Sequence, residues 1–96
     1  MNRKDAINIL AKVKPELARR FGVTRLALFG STARDVANLE SDIDILVVFD
    51  GPATSSKYFG VQFLLEDLFA CSVDLITEKA LRSELRNYIE QEAIYV

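Results

Sequence analysis

Three aspartates and a Gly-Ser step are the residues of this chain whose types and spacing could do chemistry. Asp42 and Asp44 stand two apart at the head of a β-branched run, so on a strand their side chains point to one face. Asp74 lies in a second short run, between Val73 and Leu75. If the two strands are neighbours in matching register, three carboxylates converge on one edge of a sheet. Like charges placed so are costly unless a cation neutralises them. With no histidine and a single cysteine in the chain, the ligands on offer are oxygens, and the cation they suit is Mg²⁺. Two such ions about 3.5–4 Å apart would stabilise the attacking and leaving oxygens of a phosphoryl or nucleotidyl transfer. Taken singly, Asp42 or Asp44 is equally well a turn or capping residue, and Asp74 a lone acid in a strand.

Gly30-Ser31 falls where a strand gives way to a helix. Glycine lets backbone approach a phosphate closely, and the free N–H groups of a helix start, with the Ser31 hydroxyl, donate to its oxygens. Alone, such a step is more often a plain turn.

The elements that must position these residues follow from periodicity. Ile7, Leu10, Ala11, Leu17, Ala18 and Phe21 mark one stripe of an opening helix, with Pro15 predicting a kink or break near Val13-Lys14. Arg25–Phe29 reads as a buried strand, and Ser31 as the cap of a short helix reaching about Val36. Asn38–Ser41 forms a polar return, and Asp42–Phe49 a strand closed by Asp50-Gly51-Pro52. A helix over about Lys57–Ala70 has an apolar arc wider than one face requires. Ser72–Ile76 is a third strand, and Glu78 to about Ala93 a last helix. The order predicts an α/β (α+β) fold: a small mixed sheet of about three to four strands flanked by helices, in one domain over residues 1–96.

Composition bounds the function. The 96 residues leave no room for a second catalytic lobe. Zero histidines remove Ser–His and Cys–His pairs and imidazole acid–base steps. One cysteine, Cys71, which reads as a packing residue, cannot close an internal disulfide and points to a reducing, cytoplasmic compartment. A formal charge of −2 argues against direct binding of duplex nucleic acid. No apolar run approaches the roughly 20 residues of a membrane span.

Gly30-Ser31, ten residues, then Asp42-Ile43-Asp44 resembles the signature of the nucleotidyltransferase superfamily related to polymerase beta. Leu28–Arg34, Glu40–Val47, Val73–Ile76 and the closing Glu92–Val96 resemble the minimal nucleotidyltransferases of that superfamily, so the likeness covers essentially the whole chain. The resemblance implies a polymerase-beta-like core in which Gly30 and Ser31 contact the nucleotide triphosphate and Asp42, Asp44 and Asp74 hold metal. It also implies that Asp74 accepts the proton of an incoming hydroxyl, and that Arg34 and Ser41 belong with the nucleotide-binding residues. For Arg34 a plain surface salt bridge is an equal alternative. Two departures stand out: Asp35 where the family has glycine, and Ala70-Cys71 where a glycine-containing turn is common.

Such proteins are commonly the antitoxin half of toxin–antitoxin pairs with HEPN-domain ribonucleases. The implied activity is transfer of AMP from ATP, with Mg²⁺, to a tyrosine of the HEPN toxin. A non-catalytic antitoxin that masks the toxin by binding is the alternative, through the α-helix over Lys57–Ala70 and the set Tyr88, Ile89, Ile94 and Tyr95. Adenylylation of a small molecule is weaker, because no acceptor pocket is visible.

Overall fold

Asn2 starts the first helix: its side-chain oxygen accepts the Asp5 N–H at 2.8 Å, satisfying one of the donors every helix start leaves open. The computed structural model describes residues 2–34, 42–81 and 83–96, and α1 runs unbroken over Arg3–Phe21. The break expected near Val13-Lys14 is absent. Pro15 is exposed, and so is Ala11, whose carbonyl loses its donor to the proline, so water can reach the unpaired group. The buried stripe of α1 is Ala6, Leu10, Val13 and Leu17, while Ala11 and Ala18 face outward.

Strand β1, Val23–Phe29, begins two residues earlier than periodicity suggested. It leads into α2, Gly30–Ala33, where Ser31 is a helix-interior residue rather than the cap; Phe29 holds the cap position without a side-chain hydrogen bond. The continuation to Val36 and the polar return lie outside the described residues. Strand β2 is Ile43–Phe49. Helix α3, Ser55–Phe69, starts earlier than Lys57 because Thr54 caps it through the Lys57 N–H at 3.2 Å. Strand β3 is Val73–Thr77. The last expected helix is split into a single 3₁₀ turn, Glu78–Ala80, and α4, Ser83–Glu92.

A further strand, which periodicity does not predict, follows α4: β4, Ile94–Tyr95, pairs antiparallel with β1 at Leu28 and Ala27. Two residues carry no readable alternation, so this strand exists only through its long-range partner. The four-stranded sheet has order β3-β2-β1-β4, with β1 antiparallel to β2 and β4, and β2 parallel to β3.

Side chains alternate across a sheet, and the two faces have different fates. Leu26, Leu28, Ile43, Ile45, Val47, Val73 and Leu75 point to one face and pack under α1 and α3, whose Val61, Leu65 and Phe69 are buried there. The wide apolar arc of α3 is only half used, and Phe59, Phe63 and Leu68 remain exposed. On the opposite face, Ala27, Phe29 and Leu46 form a small cluster with Ile76, Leu81, Ile89, Ala93 and Tyr95. Helix α4 covers that face without burying any residue fully. Asp44 and Asp74, each two residues before a member of this cluster, share the thinly covered face.

The outer edge of β3 is covered by a helix. Tyr58, Gln62 and Glu66, spaced four apart along α3, bond to the Leu75 carbonyl, the Val73 carbonyl at 3.2 Å and the Val73 N–H at 3.1 Å. An exposed strand edge invites pairing with another chain, and these three side chains occupy its polar groups instead.

Candidate active site

Register brings the chemistry together. Asp44 on β2 lies directly beside Asp74 on parallel β3, and Phe29 at the end of β1 lies opposite Asp44 on its other side. The next residue, Gly30, therefore meets Asp44. It has φ +73°, and a Cβ built on it would stand 2.0 Å from Asp44 Oδ2 and 2.8 Å from Cγ. Both the backbone conformation and the space exclude a side chain at this position. Gly30 and the carboxylate are packed as one object.

The electrostatics bear out the crowding that the spacing implied. The Asp44 carboxyl is pushed up to about 6, first by burial, then by the charge of Asp74, a hydrogen bond with it, and the charge of Asp42. Arg34 pulls the other way. Two carboxylates side by side repel, and a cation between them would relieve that cost. Asp74 is exposed, Asp42 is exposed at the head of β2, and Asp44 is half-buried. Near Asp74, the Tyr58 hydroxyl has its pKa raised by burial and then by that aspartate's charge.

The donor set fits a hard divalent cation such as Mg²⁺: carboxylate oxygens from neighbouring strands, Asp44 beside Asp74. Among the described residues, no three acidic side chains are drawn around one point in finished metal-ligating geometry. Asp44 and Asp74 form the assembled pair, with Asp42 close enough for its charge to act on Asp44.

Arg34 ends α2, its backbone N–H bonded to the Gly30 carbonyl at 3.1 Å. Its Nη1 lies 3.1 Å from Glu92 Oε2, at the end of α4, so Arg34 forms an ion pair there. Ser31 is half-buried in the first turn of α2. Ser41 and Asp35 lie outside the described residues.

This geometry is accompanied by likeness to known proteins. The model of the nucleotidyltransferase domain matches residues 10–96. The chain belongs to that family. Protein adenylyltransferase MntA of Thermococcus cleftensis is 37% identical over 89 residues, covering 93% of this chain and 90% of that protein. A solved structure described as a minimal nucleotidyltransferase superposes with a TM-score of 0.83 at 32% identity, covering 98% of this chain and 95% of the other. A chain in a structure described as a tri-AMPylated Shewanella oneidensis HEPN toxin in complex with MNT antitoxin shares the fold, at TM-score 0.69 and 17% identity, over 97% of this chain and 70% of that one.

Two features of this nucleotidyltransferase escaped the sequence. Glu92 belongs to the closing Glu92–Val96 segment, yet nothing in the order of residues says that it meets Arg34, 58 positions away. The Tyr58, Gln62 and Glu66 set recurs every fourth position, but α3 also carries Ser55, Ser56, Lys57 and Asp67, so residue order does not single those three out.

Proposed function

We propose that this nucleotidyltransferase transfers AMP from ATP to a hydroxyl, a tyrosine's, on a partner HEPN-domain ribonuclease toxin, and so neutralises it as an antitoxin. The observation that carries the reading is the contact between Gly30 and the Asp44 carboxylate beside Asp74: the phosphate-holding turn and the carboxylate pair form one assembly. The name of the Thermococcus relative and the AMPylated HEPN toxin bound by an MNT antitoxin support the choice of acceptor. The chain acts as one domain over residues 1–96, and the acceptor protein supplies the surface that a second lobe would.

In this reading Gly30, Ser31 and Ser41 hold the triphosphate through backbone and hydroxyl donors, with Arg34 adding charge. Asp42, Asp44 and Asp74 hold Mg²⁺, two ions in the full complex. Bound there, the metal would neutralise charge developing on the α-phosphate and leaving group. The acceptor oxygen attacks the α-phosphorus in line, the bond from that phosphorus to the pyrophosphate oxygen breaks, and the hydroxyl proton passes to Asp74. Catalysis consists of placement and charge stabilisation, as expected of a site without histidine.

Intact-mass measurement of the HEPN protein after incubation with ATP, Mg²⁺ and this protein tests the reading. Addition of AMP by the wild type, and none by the Asp42→Asn/Asp44→Asn variant, is the expected result; an unmodified partner overturns it.

A second reading, masking by direct binding, is favoured by the apolar side chains left in solvent: Phe59, Phe63 and Leu68 on α3, Leu85 and Tyr88 on α4. Neutralisation retained by the same double variant, with binding intact, would select masking over catalysis.

A further inference from the structure

The Arg34–Glu92 pair joins the site to the far end of the chain. Arg34 sits one turn after Gly30, close enough to Asp44 for its charge to act there. Glu92 is the last residue of α4 and directly precedes the Ala93-Ile94 step into β4, which is pinned to β1. Its side chain is 24% exposed against 49% for Arg34, so the acid is the better-anchored member. An exposed ion pair contributes little to folding. Its placement beside the carboxylates is what calls for an account.

We propose that Glu92 is a positioning residue for nucleotide binding, holding the Arg34 guanidinium beside Asp44 so that its remaining N–H donors meet the triphosphate. The proposal rests on the nucleotide-binding reading of the site. A guanidinium has five N–H donors, and one engaged by Glu92 leaves others for phosphate oxygens. A long side chain already held in place has less rotamer freedom to lose when the ligand arrives. Because Glu92 directly precedes β4, which pairs with β1, this arrangement ties a competent phosphate site to closure of the C-terminal segment on the sheet. Were Glu92 merely a stand-in for phosphate on Arg34, its removal would tighten binding, the opposite sign.

The test is the equilibrium Kd for Mg²⁺-ATP, with kcat and KM for AMP transfer beside it, in wild type, Glu92→Gln, Glu92→Asp, Arg34→Ala and the Arg34→Ala/Glu92→Gln double variant. Glu92→Gln should weaken ATP binding by about five-fold, as loss of one charge-assisted orienting contact would. It should raise KM for ATP with kcat within about two-fold, the pattern of lost binding rather than lost chemistry. Glu92→Asp should recover part of the loss. In the Arg34→Ala background Glu92→Gln should have no further effect, since additivity fails where one residue acts through another. A melting temperature for Glu92→Gln close to that of wild type would show that the fold is intact. An unchanged or tighter Kd in Glu92→Gln, or an equal loss in both backgrounds, overturns the proposal. Wild type that binds ATP but leaves the HEPN partner unmodified defeats the AMP-transfer reading alone, and Kd still decides this one; wild type that binds no ATP defeats both.

Discussion

Asp44 is held where its own ionisation is opposed. Burial and the neighbouring Asp74 raise its pKa to about 6, above the ordinary carboxylate value near 4. The folded state therefore binds the proton more tightly than the unfolded chain. Its contribution favours folding below about pH 4 and is lost as pH rises through about 6. Asp44→Asn should remove that burden and, on the proposed mechanism, the transfer activity with it. We expect the variant to melt higher than wild type at pH 7.5 without divalent cation, and the two curves to converge near pH 4 as thermal unfolding is followed across that range. Wild type melting higher at neutral pH would contradict the assignment. Gly30 has the opposite character: it carries no ionisable group, and what it supplies depends on its backbone shape. Gly30→Ala places a methyl within 2.0 Å of Asp44 Oδ2 on a left-handed backbone, so AMP transfer and ATP binding should both fall by at least about ten-fold, read by the same mass and binding assays.

At the scale of elements, the turn between α3 and β3 carries a residue in the wrong conformation for its type. Ala70 has φ 56°, left-handed, and ends α3 with its N–H on the Glu66 carbonyl at 2.8 Å. Its Cβ costs about 1–2 kcal/mol there, part of which a glycine would return as extra unfolded-state entropy. Ala70→Gly should thus stabilise the protein by about 0.5–1 kcal/mol in chemical denaturation, with transfer activity unchanged. The departure noticed in sequence is one of turn geometry, since Asp74 still falls in register beside Asp44. Helix α3 serves both its faces differently: Val61, Leu65 and Phe69 fill the core, and Tyr58, Gln62 and Glu66 occupy the edge of β3.

For the whole molecule, the two sheet faces divide the work. One is sealed by α1 and α3 and supplies the core; the other, under α4, holds the carboxylates and stays accessible. An apolar groove of about 300 Å³, lined by Ile9, Val13, Leu64 and Leu68 with Lys12 and Glu16, lies between α1 and α3 on the sealed side, away from the acidic pair. A protein acceptor reaching Asp44 and Asp74 must approach the face bearing α4, where Leu85 and Tyr88 are 48% and 60% exposed. Leu85→Ser/Tyr88→Ser should raise KM for the proposed acceptor protein by about ten-fold while leaving Kd for ATP and, within about 0.5 kcal/mol, stability unchanged, as expected of exposed positions. Titration of the acceptor in the mass assay checks it. No helix among the described residues is long and apolar enough to cross a membrane.

The family was legible in the sequence because its signature is local: Gly30-Ser31 and Asp42-Ile43-Asp44 sit at fixed spacing, and alternation alone puts both aspartates on one face. Most helix and strand identities followed from periodicity; a cap such as Thr54 moved one end, a solvent-facing Pro15 left α1 unbroken, and the short β4 and the split last helix went unread. What the tertiary structure decided is non-local. The pairing of β2 with β3 that sets Asp74 beside Asp44, the contact of Gly30 with that carboxylate, the two-residue strand β4 and the reach of Arg34 to Glu92 all join distant positions. Residue order sets which side chains are available; only the closing of the sheet decides which of them share a few ångströms, and crowded carboxylates or an ion pair exist at no other range.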